Sequence, residues 1–205
     1  MENPWKSIPL ADYENHMKLN SVMQLQAMND MMKYQFASYS ISSVMILGIA
    51  GGNGLEHIQK DKFEKIYGID INSSYLQAIK ERYADLDGLL ECLCIDLTDE
   101  ADKLPEADMI IANLLVEYIG YECFKNVILQ VNPKYVSCII QINMEGNWVS
   151  DSPYLHVFDG LNQIHYQMEE CTLEKSMAEI NYHATKKFEH MLPNVKKLVQ
   201  IDFER

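Results

Sequence analysis

The sequence predicts an α/β protein built on an open, mostly parallel sheet with helices on both faces. Three observations carry this. Short apolar runs alternate with amphipathic segments of helical length between residues 44 and 142, the pattern of buried parallel strands joined by crossover helices. The first four runs each give way to a glycine or a polar residue: Gly48, Asp70, Asp96 and Asn113. The tail carries two strand-like segments around Leu192-Pro193-Asn194, a loop too short for a parallel crossover, so this pair is expected to be an antiparallel hairpin.

Taken in order, residues 11–37 read as helical, since Met17, Leu25, Met28, Met32 and Phe36 recur mostly on one face and the segment lacks Gly and Pro. Met23, Met28, Met31 and Met32 are expected as adaptable core packing. Residues 44–47 form a buried strand, followed by the glycine-rich turn Gly48 to Gly54 and a helix expected over 55–60. Residues 65–71 are a strand ending in Asp70; Asn72 or Ser73 caps a helix whose apolar face is Leu76, Ile79 and Tyr83. Strands at 89–95 and 109–112 lead into Asp96 and Asn113, a helix at 121–131 buries Phe124, Val127, Ile128 and Val131, and 135–142 is another strand. Thr172 is expected to cap a helix carrying Leu173, Met177 and Ile180, the hairpin strands are 182–190 and 197–203, and 149–163 reads as irregular.

Composition narrows the function classes. The chain has 205 residues, 48% hydrophobic and 23% charged, with a formal net charge of -13. These fractions exclude collagen-like and disordered readings, and the acidic balance disfavours nucleic acid as a partner. The start carries no apolar stretch of signal-peptide length and the most apolar run is far short of the ~20 residues that span a bilayer. Five cysteines, an odd number scattered through the chain, suit reduced thiols better than a disulfide framework. No His or Cys pair stands at zinc-like spacing beside Cys92 and Cys94, so no metal is expected. A cytoplasmic protein without membrane attachment follows as the expectation.

Ligands of open α/β sheets sit outside the carboxyl ends of the strands. A glycine-rich strand-to-helix turn there brings backbone close to a ligand, and a carboxylate about 20 residues further on, at the next strand's end, accepts hydrogen bonds from ribose hydroxyls. Asp70 stands at that place. Its structural alternative is a charge favouring the dipole of the following helix. The strict G-x-G-x-x-G of nicotinamide enzymes fails, because Ala50 stands two residues after Gly48, which ranks an NAD(P)-dependent oxidoreductase low.

The successive segments Val44 to Gly52, Tyr67-Gly68-Ile69-Asp70-Ile71-Asn72, Cys94-Ile95-Asp96-Leu97 and Asp108 to Leu114 resemble the motifs of class I S-adenosylmethionine-dependent methyltransferases, over residues 40–142. The resemblance implies a three-layer Rossmann-like fold with a seven-stranded sheet whose terminal strand is antiparallel. It also implies S-adenosyl-L-methionine as cofactor, with Gly48, Ile49, Ala50, Gly52 and Asn53 under its methionine part, Asp70 and Ile71 at the ribose, Asp96 and Leu97 at the adenine, and Asn113 and Leu114 alongside. Two positions depart from the pattern. Ile46 stands where many members carry an acid, and Ala50 replaces the middle glycine, so either the loop differs slightly or Gly51 takes the unusual turn.

The resemblance further implies one domain over 1–205: an N-terminal helical lid (1–40), a cofactor-binding core (41–143), and a substrate-side segment with the terminal hairpin (144–205). The acceptor pocket is expected from the N-terminal helix, the segment after the fourth strand and residues 145–165. Asn113 lacks the following prolines and aromatic residue of nucleobase amino-methyltransferases, which lowers an N-methylation of nucleobases; the acceptor is expected to be a small molecule, or less favourably a protein side chain. Glu117 is a candidate base or cation contact, Tyr118 a candidate wall, and Tyr13 and His16 candidate contacts of the cofactor's methionine end. Each has a bland alternative: a helix-start charge, a packed aromatic, an exposed histidine. The competing reading is a methyltransferase-fold module that binds the cofactor, turns over weakly and serves a partner. His156, His165, His183 and His190 show no ligand spacing.

Overall fold

The computed structural model describes residues 3–144 and 148–205. Seven strands form one sheet in the order β3-β2-β1-β4-β5-β7-β6. They are β1 (Ser43–Leu47), β2 (Lys65–Asp70), β3 (Leu90–Cys94), β4 (Met109–Asn113), β5 (Tyr135–Asn143), β6 (His183–Met191) and β7 (Lys196–Glu204). The pairs within β3-β2-β1-β4-β5 are parallel; β7 lies antiparallel between β5 and β6, as the short terminal loop requires. From β1 the chain winds outward to β3 and then returns to β4 on the other side. The switch point therefore falls between β1 and β4, where a crevice opens at the strands' carboxyl ends.

Alternation along the central strands builds the three layers. Val44 and Ile46 of β1 pack with Met32 and Phe36 of α2 (Gln24–Ala37) and with Leu76 and Ile79 of α3 (Ser73–Arg82). Met45 and Leu47 face the opposite way, towards Phe124, Val127 and Ile128 of α4 (Val116–Val131) and Leu173 and Met177 of α5 (Glu170–Ala178). Every residue from Val44 to Leu47 and from Met109 to Ala112 is buried, and each large apolar side chain so placed contributes roughly 1.5–3 kcal/mol. A polar network crosses the α2 face. The Ser137 hydroxyl donates to Asp202 Oδ1 at 2.5 Å across the β5–β7 register, Gln200 and Tyr39 donate to the same carboxylate at 2.9 Å each, and Gln35 of α2 donates to Ser137 Oγ at 2.9 Å.

Several elements depart from the sequence expectation. The helix expected over 11–37 is broken into α1 (Leu10–Met17) and α2. Between them the chain turns so that Val22 is buried, Met23 adopts a left-handed conformation (φ 54°), and the Gln26 side chain donates to the Lys18 carbonyl at 2.9 Å. Only a single 3-10 turn, Leu55–His57, follows the glycine loop in place of a helix to residue 60. The helix α4 contains Gly120 in a non-helical conformation (φ 74°), so its regular part begins at the expected Tyr121. Glu169, not Thr172, precedes α5, and the Thr172 hydroxyl donates to the Glu169 carboxylate at 3.0 Å. Residues expected to be irregular include a 3-10 segment, Leu155–Gln163. Met28, Met31 and Met32 are buried as expected, whereas Met23 serves at the break. All five cysteines are free.

The turn after β1 depends on close packing. Gly54 has φ +90°, and a Cβ there would lie 2.8 Å from Met32 Cβ. Gly54→Ala is therefore expected to destabilise the fold by roughly 1–3 kcal/mol, from the left-handed backbone and the displaced α2 contact together. Urea denaturation measures this; an unchanged midpoint would show that the loop tolerates the side chain.

Candidate active site

The loop after β1 is pinned from below by one carboxylate. Asp70, at the end of β2 and buried, accepts the Ala50 N–H on Oδ2 and the Asn72 N–H on Oδ1, both at 2.9 Å. Burial raises its pKa above the ordinary carboxylate value, and the backbone donors from Asn72 and Ala50 oppose the rise. Ala50 itself takes the left-handed conformation (φ 48°), a correction to the alternative in which Gly51 would. An L-residue there costs about 1–2 kcal/mol, which the charged hydrogen bond to Asp70 offsets. Gly51 is a glycine for a different reason. A Cβ would meet Glu14 Oε1 at 2.1 Å and Arg82 Nη1 at 2.8 Å.

Those two side chains belong to the arch over the loop. Glu14 of α1 and Arg82 of α3 form a two-pronged ion pair, and Arg82 also donates to the Gly51 carbonyl at 3.1 Å. Asn72 caps α3 through its side-chain oxygen, accepting from Ser74 and Tyr75 N–H, while its Nδ2 donates to the Trp5 carbonyl at 2.9 Å. The Tyr75 hydroxyl donates to the Ile8 carbonyl at 2.8 Å. The N-terminal segment is thus fastened across the rim of the sheet by side chains at the start of α3. Trp5, Tyr13 and Tyr118 then close over the crevice with edge-on ring contacts at 5.7 and 5.0 Å.

Beneath this arch lies a cleft at the carboxyl ends of the strands, where ligands of open α/β sheets sit. Of the expected cofactor residues it is lined by Gly48, Ala50, Asp70, Ile71, Asp96, Leu97, Asn113, Leu114 and Tyr13, together with Tyr118. Its charged lining consists of Asp70 and Asp96 alone; among the described residues neither Lys nor Arg lines it. Asp96 Oδ1 accepts from both the N–H (3.1 Å) and the hydroxyl (2.6 Å) of Thr98, which fixes the turn and leaves Oδ2 for other donors. Asn113 is partly committed: its amide pairs reciprocally with that of Gln35 at 2.9 Å, leaving one N–H and one oxygen lone pair. Leu114, like Ala50, is a non-glycine residue held at positive φ (53°).

Three of the expected glycine-loop residues lie off this cleft. The Ile49 side chain is buried in the core against Gly68, Gly52 packs against Tyr83, and Asn53 is spent on α2, donating to the Leu25 carbonyl and accepting from Asn29. Ile49 and Asn53 face a smaller hollow on the α1–α2 side of the loop.

His16 and Glu117 belong to a second lobe of about 560 Å³, adjoining the first along Trp5, Tyr13, Leu114 and Tyr118, which line both. His16 is buried, contrary to the exposed alternative; its Nδ1 lies 2.8 Å from Ser152 Oγ, and burial with the Lys196 charge lowers its pKa to about 4. Glu117, only 3% exposed, accepts the Gln141 N–H on Oε1 at 2.8 Å, while Oε2 is buried without a partner among the described residues. Burial pushes its pKa up to about 7. Burial also raises the Tyr118 hydroxyl well above its ordinary value, with the Glu117 charge adding to it. Residues 148, 149, 150, 158 and 165 of the expected acceptor segment line this lobe; its members 145–147 lie outside the described residues. Met17, Gln24, Gln141 and Lys196 complete it, and no sequence motif marks the last three. His156, His183 and His190 are exposed.

The sheet order, the switch-point cleft and the antiparallel terminal strand together define the class I methyltransferase fold. No protein-family model and no curated protein matches the sequence. Solved structures match in fold. One is magnesium protoporphyrin IX methyltransferase from Synechocystis PCC 6803 with bound SAH (11% identity, TM-score 0.69, covering 98% of this chain and 96% of that one). Another is an N-methyltransferase from Bradyrhizobium japonicum WM9 in complex with S-adenosyl-L-homocysteine (11% identity, TM-score 0.69, 100% and 99% covered). A third, the cyclase SpnF (9% identity, TM-score 0.67, 90% and 82% covered), shows that this fold also carries other chemistry.

Glu117 has a measurable thermodynamic consequence. The folded chain holds its proton more tightly than the unfolded chain does, so its contribution is most favourable below the ordinary value near 4.5. Stability then declines as pH rises towards 7, by an amount on the order of 3 kcal/mol. Glu117→Gln is expected to remove this decline, so that the difference in unfolding free energy between variant and parent shifts in the variant's favour from about pH 5 to about pH 8. A difference that stays constant across that range, measured by urea denaturation, would place the Glu117 carboxyl in a wetter environment than the structure does.

Proposed function

We propose that the chain is an S-adenosylmethionine-dependent methyltransferase acting on a small-molecule acceptor. The observation that carries this reading is the electrostatics of the rim cleft: two carboxylates, Asp70 and Asp96, converge on it from successive strand ends without a lining cation among the described residues. That donor set fits a cationic ligand with a vicinal diol and fits poorly a dinucleotide, whose pyrophosphate calls for N–H groups and positive charge. The solved methyltransferases with the same fold carry S-adenosylhomocysteine in two of the structures named above, which supports the same assignment.

When bound, the cofactor supplies an activated methyl group on sulfur, and the protein's contribution is positioning and proton handling. Asp70 keeps lone pairs on both oxygens beyond those spent on Ala50 and Asn72, and these accept from ribose hydroxyls. Asp96 Oδ2 serves the adenine amino group, with Leu97, Ile71 and Ile119 supplying apolar contact. Tyr13, Trp5 and Tyr118 exclude water and border both the cofactor lobe and the acceptor lobe, at whose junction the nucleophile would reach the methyl group. Glu117 Oε2 takes the proton that an O–H or N–H acceptor gives up; a carboxylate titrating near neutrality holds that proton better than an ordinary one. The N-terminal segment acts as a lid, fastened by the Glu14–Arg82 pair and by Asn72.

Calorimetric titration with S-adenosylmethionine, S-adenosylhomocysteine and NAD tests the assignment. The first two are expected to bind and NAD is not; preference for NAD would overturn it. Asp70→Ala should weaken S-adenosylhomocysteine binding at least about tenfold, since each charged hydrogen bond contributes roughly 1.5–3 kcal/mol. Equal affinity would remove Asp70 from the ribose. Deleting residues 1–20 should weaken binding while far-ultraviolet circular dichroism keeps the sheet signal, and undiminished binding would show that the segment does not close the cleft.

A further inference from the structure

The second lobe has two chemically different ends. At one end Lys196, the first residue of β7, is 3% exposed and still lines the lobe. Its ammonium donates to the Trp148 carbonyl and to Ser150 Oγ, and among the described residues no carboxylate pairs with it. Most other buried polar groups in this protein are satisfied internally, and a buried cation without a counter-ion is costly. One of its three N–H bonds remains to be used. His16 and His165 lie close enough to feel its charge, and both are driven towards the neutral form, to about 4, by burial first and by Lys196 second.

At the other end stands Glu117 with Oε2 buried and unpartnered. The two groups are anchored at different points of the sheet. Glu117 is tied to the backbone of Gln141, whereas Lys196 is in register with Asn143, two residues further along β5. That offset corresponds to roughly 7 Å along the strand. Between the ends the walls are flat and aromatic. Trp148 stacks on His165 at 4.0 Å with an interplanar angle of 14°, Tyr118 meets both edge-on, and Phe158 packs against His16 at 4.8 Å.

We infer that the acceptor is a flat, singly charged carboxylic acid whose carboxylate is bound by Lys196 between His16 and His165, and whose O–H or N–H nucleophile, at the opposite end of a ring, hydrogen-bonds to Glu117 Oε2. One ammonium flanked by two neutral imidazoles balances one negative charge, which selects a carboxylate over a phosphate dianion. The carboxylate of Glu117 repels the anion and so fixes which end of the ligand points where. This inference rests on the methyltransferase reading for its reaction, but the binding preference is measurable without turnover.

Trp5 and Trp148 are the chain's two tryptophans, and both line the lobe, so intrinsic fluorescence reports its occupancy. Protein first shown by calorimetry to hold S-adenosylhomocysteine is titrated with 4-hydroxybenzoate, 4-aminobenzoate, their uncharged primary amides and tyramine. The acids are expected to bind at least about tenfold more tightly than the amides or the amine, in line with one charged hydrogen bond. Lys196→Met should abolish that preference and Lys196→Arg should restore part of it, with all variants checked for parental melting behaviour. A loss of packing alone would weaken acids and amides alike. Equal binding of acids and amides, preference for tyramine, no binding of any acid, or an acid preference that survives Lys196→Met would each overturn the inference. Failure here with S-adenosylhomocysteine still bound leaves the cofactor assignment standing; failure to bind S-adenosylhomocysteine sinks that assignment instead.

Discussion

The buried carboxylate of Asp70 holds three pieces of backbone that otherwise have no reason to meet. One oxygen restrains Ala50 in a left-handed turn, the other receives the first amide of the residue that caps α3, and that residue, Asn72, reaches on to the carbonyl of Trp5. Each charged hydrogen bond contributes about 1.5–3 kcal/mol where an unmade one would leave a buried polar group exposed to nothing. The glycine loop, the helix start and the N-terminal arch are therefore set against one another by a single side chain at the end of β2. The sheet supplies the rigidity: β2 is flanked by β1 and β3, and its Ile66 and Ile69 are fully buried.

Beside that arrangement lie two lobes of different charge. The lobe over the switch point is lined by two carboxylates, and the one beside it carries a buried ammonium and a buried carboxyl. Tyr13, Trp5, Tyr118 and Leu114 line both, so the two lobes adjoin along residues from the N-terminal segment and from the turn after β4. Strain is placed at the same boundary: Ala50 and Leu114, both at positive φ without being glycine, line the first lobe. Residues in such conformations persist where surrounding contacts determine them, and they concentrate at ligand sites.

Local patterns made the first lobe legible and gave only part of the second, where Glu117, Tyr118 and the segment 145–165 were expected and Gln24, Gln141 and Lys196 were not. Asp70, Asp96 and Asn113 each follow an apolar strand directly, so the rim of the sheet was readable from short runs of residues. The identity of the strained loop residue was not, because glycine content marks Gly51 while the decisive contacts come from Glu14 and Arg82, far away in sequence. The helix break at residues 18–23 was likewise invisible: it lacks Gly and Pro, and tertiary burial of Val22 overrides helical propensity there. The second lobe draws His16 from α1, Gln141 from β5, Lys196 from β7 and His165 from an irregular segment. Such a constellation has no spacing to detect, and only the β5–β7 register shows that Lys196 and Gln141 share a face.

A crystal structure of the protein grown with S-adenosylhomocysteine tests the central claim most directly. The account predicts the adenosyl group in the switch-point cleft, its ribose hydroxyls on the Asp70 carboxylate, its base beside Asp96 and Leu97, and its sulfur facing Tyr13 and Tyr118. Density for the ligand elsewhere, or a cleft that stays free of it at saturating concentration, would contradict the account.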